Sequence, residues 1–271
     1  MGKYEYIVNQ IDENTYCLNE YAQTHSYLLL GNQKAMLIDT GCGCGNLLKT
    51  VRSITDLELV VINSHGHLDH IGSNYQFDKV WISKEDEALM RKSSTAEEKS
   101  RELRRYLLKI DPDFDNDELK CIIELPQVNE ISYLNDKMNF DLGNRTIEAI
   151  STPGHTQGSF CFLDKNNRQL YTADTICDIS VLLFFNESES IEVFYSSVEK
   201  LYKIRKEYDL IYPGHHTMPL STQIIDNYKT CAEKIINRTL TGKKHIEEIG
   251  CGFKASYNNI GIVYSNNADI Y

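Results

Sequence analysis

The segment Ser64-His65-Gly66-His67-Leu68-Asp69-His70 brings three imidazoles and one carboxylate into a run of six residues. Only eight histidines occur in the whole chain, so three in one loop are hard to explain as scattered surface or capping residues. Mixed nitrogen and oxygen donors suit zinc, iron or manganese, whereas calcium and magnesium prefer oxygen alone. One such loop leaves a metal short of partners. Three more candidates follow, at Thr152-Pro153-Gly154-His155, at Ala173-Asp174 and at Tyr212-Pro213-Gly214-His215. In the two Pro-Gly-His turns proline stops a strand and glycine lets the backbone turn tightly, aiming the next side chain at a common point. Each candidate alone reads as a surface histidine or a helix cap; with the cluster, and in this order, they make a metal-ligand set.

The elements around these residues are those of an α/β protein. Apolar runs predict strands at 26–30 and 35–39, separated by the turn Gly31-Asn32-Gln33, and shorter ones at 4–8 and 14–18. A glycine loop at Gly41, Gly43 and Gly45 precedes a helix over 46–54. The run 57–63 is a buried strand that stops at Ser64, so the histidine cluster occupies the loop at its C-terminal end, where α/β scaffolds hold ligands. Strand patterns return at 130–134, 137–142, 146–151, 159–163 and 169–172, and His155 and Asp174 follow two of these. Helices are predicted over 191–208 and 221–240, with short strands at 210–212 and 261–264. One domain over 1–271 is expected, with two sheets and helices outside. Residues from Glu85 to Leu125 are charged and helix-favouring, an inserted helix pair that reads either as a solvated face or as a lid.

With 28 Lys plus Arg against 39 Asp plus Glu, the formal charge is -11, which gives non-specific nucleic-acid binding no footing. Eight dispersed cysteines in a chain of 271 residues read as free thiols and not as a disulfide framework. No signal-like N-terminus and no apolar stretch of the roughly 20 residues that span a bilayer is present. The expectation is a cytoplasmic protein with a small-molecule substrate, no nucleic acid and no membrane partner; homo-oligomerisation is left open.

The ligand pattern, with Leu37-Ile38-Asp39-Thr40-Gly41 before it, resembles the metallo-β-lactamase superfamily, and within it glyoxalase II and the lactonases. The resemblance covers most of the chain. It implies a four-layer αββα sandwich with metals at one edge, a first ion held by His65, His67 and His155, a second by Asp69, His70 and His215, and Asp174 bridging them. Asp174 disfavours the antibiotic-hydrolysing branch, which lacks that carboxylate, and His67 stands where flavin-linked diiron proteins carry glutamate. Cys177 replaces a tyrosine of the quorum-quenching lactonases, and after Pro219 only one helix and a short tail are expected in place of the glutathione-binding domain of glyoxalase II.

Two divalent ions, zinc, iron or manganese, would lower the pKa of a shared water from about 15.7 towards about 7, generating a bridging hydroxide as nucleophile. Asp69 would bind metal and accept the water proton. Asp39 reads either as an orienter of a ligating imidazole or as a turn residue. His216 either touches substrate or points away. Cys42 and Cys44 supply only two ligands, too few for structural zinc. The run Val181-Leu182-Leu183-Phe184-Phe185 is either core or an apolar wall beside the metals. The expected reaction is hydrolysis of a small ester, thioester or lactone, with phosphodiester hydrolysis and iron-dependent redox chemistry or metal sensing as the alternatives.

Overall fold

A computed structural model describes residues 5–20, 24–110 and 130–265. The chain is a mixed α/β protein that divides into two compact units, one of residues 1–134 and 140–146, the other of residues 135–139 and 147–271.

The first unit is built on a seven-stranded sheet: β1 (Ile7–Asp12), β2 (Thr15–Glu20), β3 (Thr24–Leu30), β4 (Lys34–Ile38), β5 (Glu58–Ile62), β6 (Lys79–Ile82) and β7 (Glu130–Tyr133), in that spatial order. The first four pair antiparallel, and from β4 to β7 the pairing is parallel. The switch is forced by the connections, because a parallel neighbour needs a crossover. The β4–β5 crossover carries α1 (Leu47–Arg52), capped by Asn46 Oδ1 accepting from the Lys49 amide at 2.9 Å. After β5 comes α2 (Leu68–Ile71), and after β6 come α3 (Glu87–Ser93) and α4 (Ala96–Ile110). These last two are helices of the expected insertion; residues 111–129 lie outside the described residues. Leu103 and Leu107, one turn apart on α4, are fully buried in a core with Leu28, Leu37, Val80 and Met90. Four charged residues of α4 ion-pair along the helix, Arg101 with Glu98 and Arg105 with Glu102.

The second unit contains two sheets. The larger has the order β14-β13-β11-β10-β9-β8, with β8 (Met138–Asp141), β9 (Thr146–Ser151), β10 (Phe160–Asp164), β11 (Gln169–Ala173), β13 (Leu210–Pro213) and β14 (Leu220–Ser221). Every residue of β10 and β11 is buried, as central strands require. The smaller sheet has the order β12-β17-β16-β15, from β12 (Ser180–Leu183), β15 (Lys243–Glu247), β16 (Gly250–Tyr257) and β17 (Ile260–Tyr264). The expected single helix and short tail after Pro219 is thus incomplete: three strands follow the helix, and β12 pairs parallel with the last of them. Helices α5 (Ile191–Lys203) and α6 (Gln223–Ile236) pack their apolar sides on this unit's core, with Phe194, Val198 and Leu201 at helical spacing against Ile225 and Tyr228. Both end earlier than their patterns extend. Past α6, Arg238 adopts a left-handed backbone with φ 56°, and the Thr239 and Leu240 amides turn back onto the Lys234 carbonyl.

Candidate metal centre

In the first unit the ligand loop leaves β5 at Asn63 and re-enters helix at Leu68. Asn63 fixes its far end, the side-chain amide donating to the His70 carbonyl at 3.0 Å and to Asn74 Oδ1 at 3.1 Å. Gly66 lies so close to α3 that a Cβ there would come within 2.9 Å of the Asp86 carbonyl and the Met90 nitrogen. Its amide donates to Asp86 Oδ2 at 2.9 Å.

Asp39 is the hub of this half. It is buried, sits at the end of β4 with a left-handed φ of 62°, and accepts from the Ser64 amide and the Ser64 hydroxyl, both at 2.7 Å. Its Oδ2 also takes His70 Nδ1 at 2.8 Å. Because Ser64 spends its only hydroxyl proton on Asp39, its oxygen accepts from His65 Nδ1 at 3.0 Å. One carboxylate thereby sets the tautomer of two imidazoles, leaving Nε2 of each without a proton in the neutral ring. His65 Nε2 faces His67 Nδ1 at 3.1 Å, and His70 Nε2 faces Asp69 Oδ2 at 3.8 Å. Asp69 Oδ2 also accepts from the Tyr106 hydroxyl of α4 at 2.9 Å. Burial and the Asp69 charge push the Tyr106 phenol well above its ordinary range, so it stays a donor.

In the second unit, His155, Asp174 and His215 follow β9, β11 and β13. Gly154 is required less by its backbone angles than by packing: a Cβ would meet the Phe194 ring at 2.7 Å. His155 Nδ1 donates to the Leu182 carbonyl at 2.8 Å, and its ring is perpendicular to that of Phe185 with centroids 5.6 Å apart. Asp174 follows Ala173, itself left-handed at φ 43°. Its Oδ2 lies 3.4 Å from His155 Nε2 and its Oδ1 lies 3.4 Å from His215 Nε2. The carboxylate therefore turns one oxygen to each histidine.

These separations fit a metal better than hydrogen bonds. The contacts of 3.4 and 3.8 Å exceed good N–H···O lengths of about 2.7–3.2 Å. At His155 and His70 the proton is on the other nitrogen, so lone pairs face lone pairs, an arrangement that a cation between them relieves. Two donors on a tetrahedral zinc, each about 2.1 Å from it, lie about 3.4 Å apart. His65, His70 and His155 each donate the remote nitrogen, to a hydroxyl, a carboxylate and a carbonyl respectively, the arrangement that orients metal-binding histidines.

His216 is exposed, with a left-handed φ of 64° and its ring centroid 6.0 Å from that of His215. Cys42 and Cys44 serve a different end from metal binding. The amides of residues 42–45 point inward onto the buried Glu20 carboxylate, with Cys44 at 2.8 Å and Gly45 at 3.2 Å. The seven described cysteines are free thiols. Val181 and Leu183 belong to the core while Phe184 and Phe185 are half-buried, so the apolar run is core along β12, and beyond it Phe184 packs against Gly250 and Phe185 against the His155 ring. Sequence reasoning passed over Glu20, Asp86 and Tyr106. For Tyr106 the only available signal was an aromatic residue inside a charged amphipathic helix.

A family model described as the metallo-β-lactamase superfamily matches residues 21–215. An acyl-coenzyme A thioesterase of Homo sapiens is 26% identical over 204 residues, covering 70% of this chain and 71% of the relative. A probable metallo-hydrolase of Methanocaldococcus jannaschii is 30% identical over 208 residues, 73% of this chain and 90% of the relative. Among solved structures, a metallo-β-lactamase family protein of Thermus thermophilus aligns with a TM-score of 0.59 and 18% identity, over 85% of this chain and 80% of that one. The fold is the metallo-β-lactamase fold, and no helix among the described residues is long and apolar enough to cross a membrane. The chain belongs to the metallo-β-lactamase superfamily of metallo-hydrolases.

Proposed function

We propose that this protein is a dinuclear metal-dependent thioester hydrolase whose substrates carry an apolar acyl group. His65, His67 and His155 would hold one divalent ion, Asp69, His70 and His215 the other, with Asp174 between them. The observation that carries the two-ion reading is the Asp174 carboxylate, with one oxygen 3.4 Å from His155 and the other 3.4 Å from His215. When bound, the ions supply Lewis acidity and an acidified water at neutral pH.

The protein's own groups do the rest. Asp39 holds His70 directly and His65 through Ser64, which keeps both rings in one tautomer as charge changes at the centre. Asp69, a carboxylate with several acceptor sites, takes the proton of the attacking water and passes it to the leaving group. Phe185, perpendicular to the His155 ring and in contact with it, supplies an apolar surface for the acyl portion and keeps bulk water from it. The thioester class is supported by that wall and by the likeness to the human acyl-coenzyme A thioesterase.

The test is a panel of acyl-CoA thioesters of rising chain length, lactones and bis-phosphoesters, assayed with zinc-loaded protein. The reading expects hydrolysis of thioesters with a preference for longer acyl chains. Turnover confined to the bis-phosphoesters, or iron with oxygen-dependent turnover, would overturn it.

A further inference from the structure

Resting on the metal-dependent reading above, we propose that Tyr106 is a positioning residue of the reacting centre: through its hydroxyl, the inserted helix α4 holds Asp69 in its working orientation. In the first unit three groups of the ligand loop have an orienting partner outside the loop's own ligands. His65 has Ser64, His70 has Asp39, and the Gly66 amide has Asp86. Asp69 sits on a helix of only four residues, where the local backbone gives its side chain little constraint. Its partner is the Tyr106 hydroxyl, 37 residues further along the chain and 2.9 Å away. An ionised carboxylate only accepts, so the phenol donates, and this bond turns Oδ2 towards α4.

The helix is built to make that contact stiff. Leu103 and Leu107 flank Tyr106 and are fully buried. The Arg105 guanidinium carbon lies 4.5 Å from the Tyr106 ring centroid, and Arg105 is itself held by Glu102 through Nη2 at 2.7 Å and Nε at 3.1 Å. A cation over the ring draws density from the phenol and strengthens its O–H as a donor. The insertion is thereby part of the machinery that aligns Asp69 and not only a solvated face.

The test compares wild type, Tyr106→Phe and Leu107→Ala. Tyr106→Phe removes the hydroxyl and keeps the ring; Leu107→Ala loosens α4 and keeps the hydroxyl. Metal-free protein is titrated with Co(II) and followed by visible absorption, and acyl-CoA hydrolysis is measured on the zinc forms. The expected result for Tyr106→Phe is an altered Co(II) spectrum with about tenfold weaker uptake of one ion, and kcat reduced about tenfold with KM within about twofold, the scale of losing a partner of a metal ligand. Leu107→Ala, which loosens α4 and keeps the hydroxyl, is expected to lose thermal stability and to shift the spectrum in the same direction to a smaller extent. Wild-type spectrum, affinity and kcat in Tyr106→Phe would overturn the proposal, as would a larger spectral change in Leu107→Ala, which keeps the hydroxyl, than in Tyr106→Phe. If wild type binds Co(II) but cleaves no thioester, the hydrolase reading fails while the spectra still decide for or against Tyr106.

Discussion

Asp39 Oδ2 and His70 Nδ1 meet at 2.8 Å, both side chains withdrawn from solvent, and the same oxygen takes the Ser64 hydroxyl. Asn can adopt the left-handed backbone of this position but offers only one acceptor oxygen in place of two. Asp39→Asn is therefore expected to fold and to bind zinc about 10–100-fold more weakly, read by competition with a chromogenic chelator. An unchanged affinity would show that the two rings hold their tautomers without it.

Glu20 collects the amides of residues 42–45 onto one buried carboxylate. Gln in its place would turn an N–H2 group towards donors. Glu20→Gln is expected to cost about 1–3 kcal/mol in urea unfolding, the scale of leaving buried donors unsatisfied. A loss below about 0.5 kcal/mol, the range of ordinary surface changes, would mean the loop finds other partners.

The strands that carry ligands were readable because their ends are punctuated: β9 and β13 stop at Pro-Gly-His, and β5 stops at the histidine loop. The smaller sheet was legible only in β17. Its edge strand Lys243–Glu247 holds one aliphatic residue, Ile246, and that is exposed, so no alternation marks it. Strand Gly250–Tyr257 is broken by glycines that give way to Phe184, whose ring would lie 2.5 Å from a Cβ on Gly250. Tyr106 and Glu20 were hidden for another reason. Their partners are 37 and 22 to 25 residues away, and no local periodicity encodes such a meeting. Asp39 stood between two readings, and only its hydrogen bonds to Ser64 and His70 distinguish an orienter from a turn residue.

Phe185 tests the acyl wall. It is half-buried, so removing its ring forfeits part of the roughly 1.5–3 kcal/mol of a fully buried aromatic. Phe185→Ala is expected to raise KM for long-chain acyl-CoA about fivefold, with little change for acetyl-CoA, measured side by side. An equal effect on both substrates would place the ring outside the acyl path.

Burial pushes Cys161, Cys177 and Cys231 up to about 11 and Cys17 to about 12, from an ordinary 9.0. Folded thiols thus stay protonated where unfolded ones ionise. Their contribution to stability is complete below pH 9 and is lost as pH rises through 11 to 12. Melting temperatures are expected to hold below pH 9 and fall above it, with a shallower fall in Cys161→Ala. An identical slope in that variant would remove the buried thiol as a cause.

The bridging role of Asp174 is tested most directly by elemental analysis of zinc-loaded wild type beside Asp174→Ala, with circular dichroism to verify the fold. The account predicts about two zinc ions per wild-type chain, one for each histidine that Asp174 faces, and one or fewer in the variant. A variant that keeps the wild-type zinc content would contradict it.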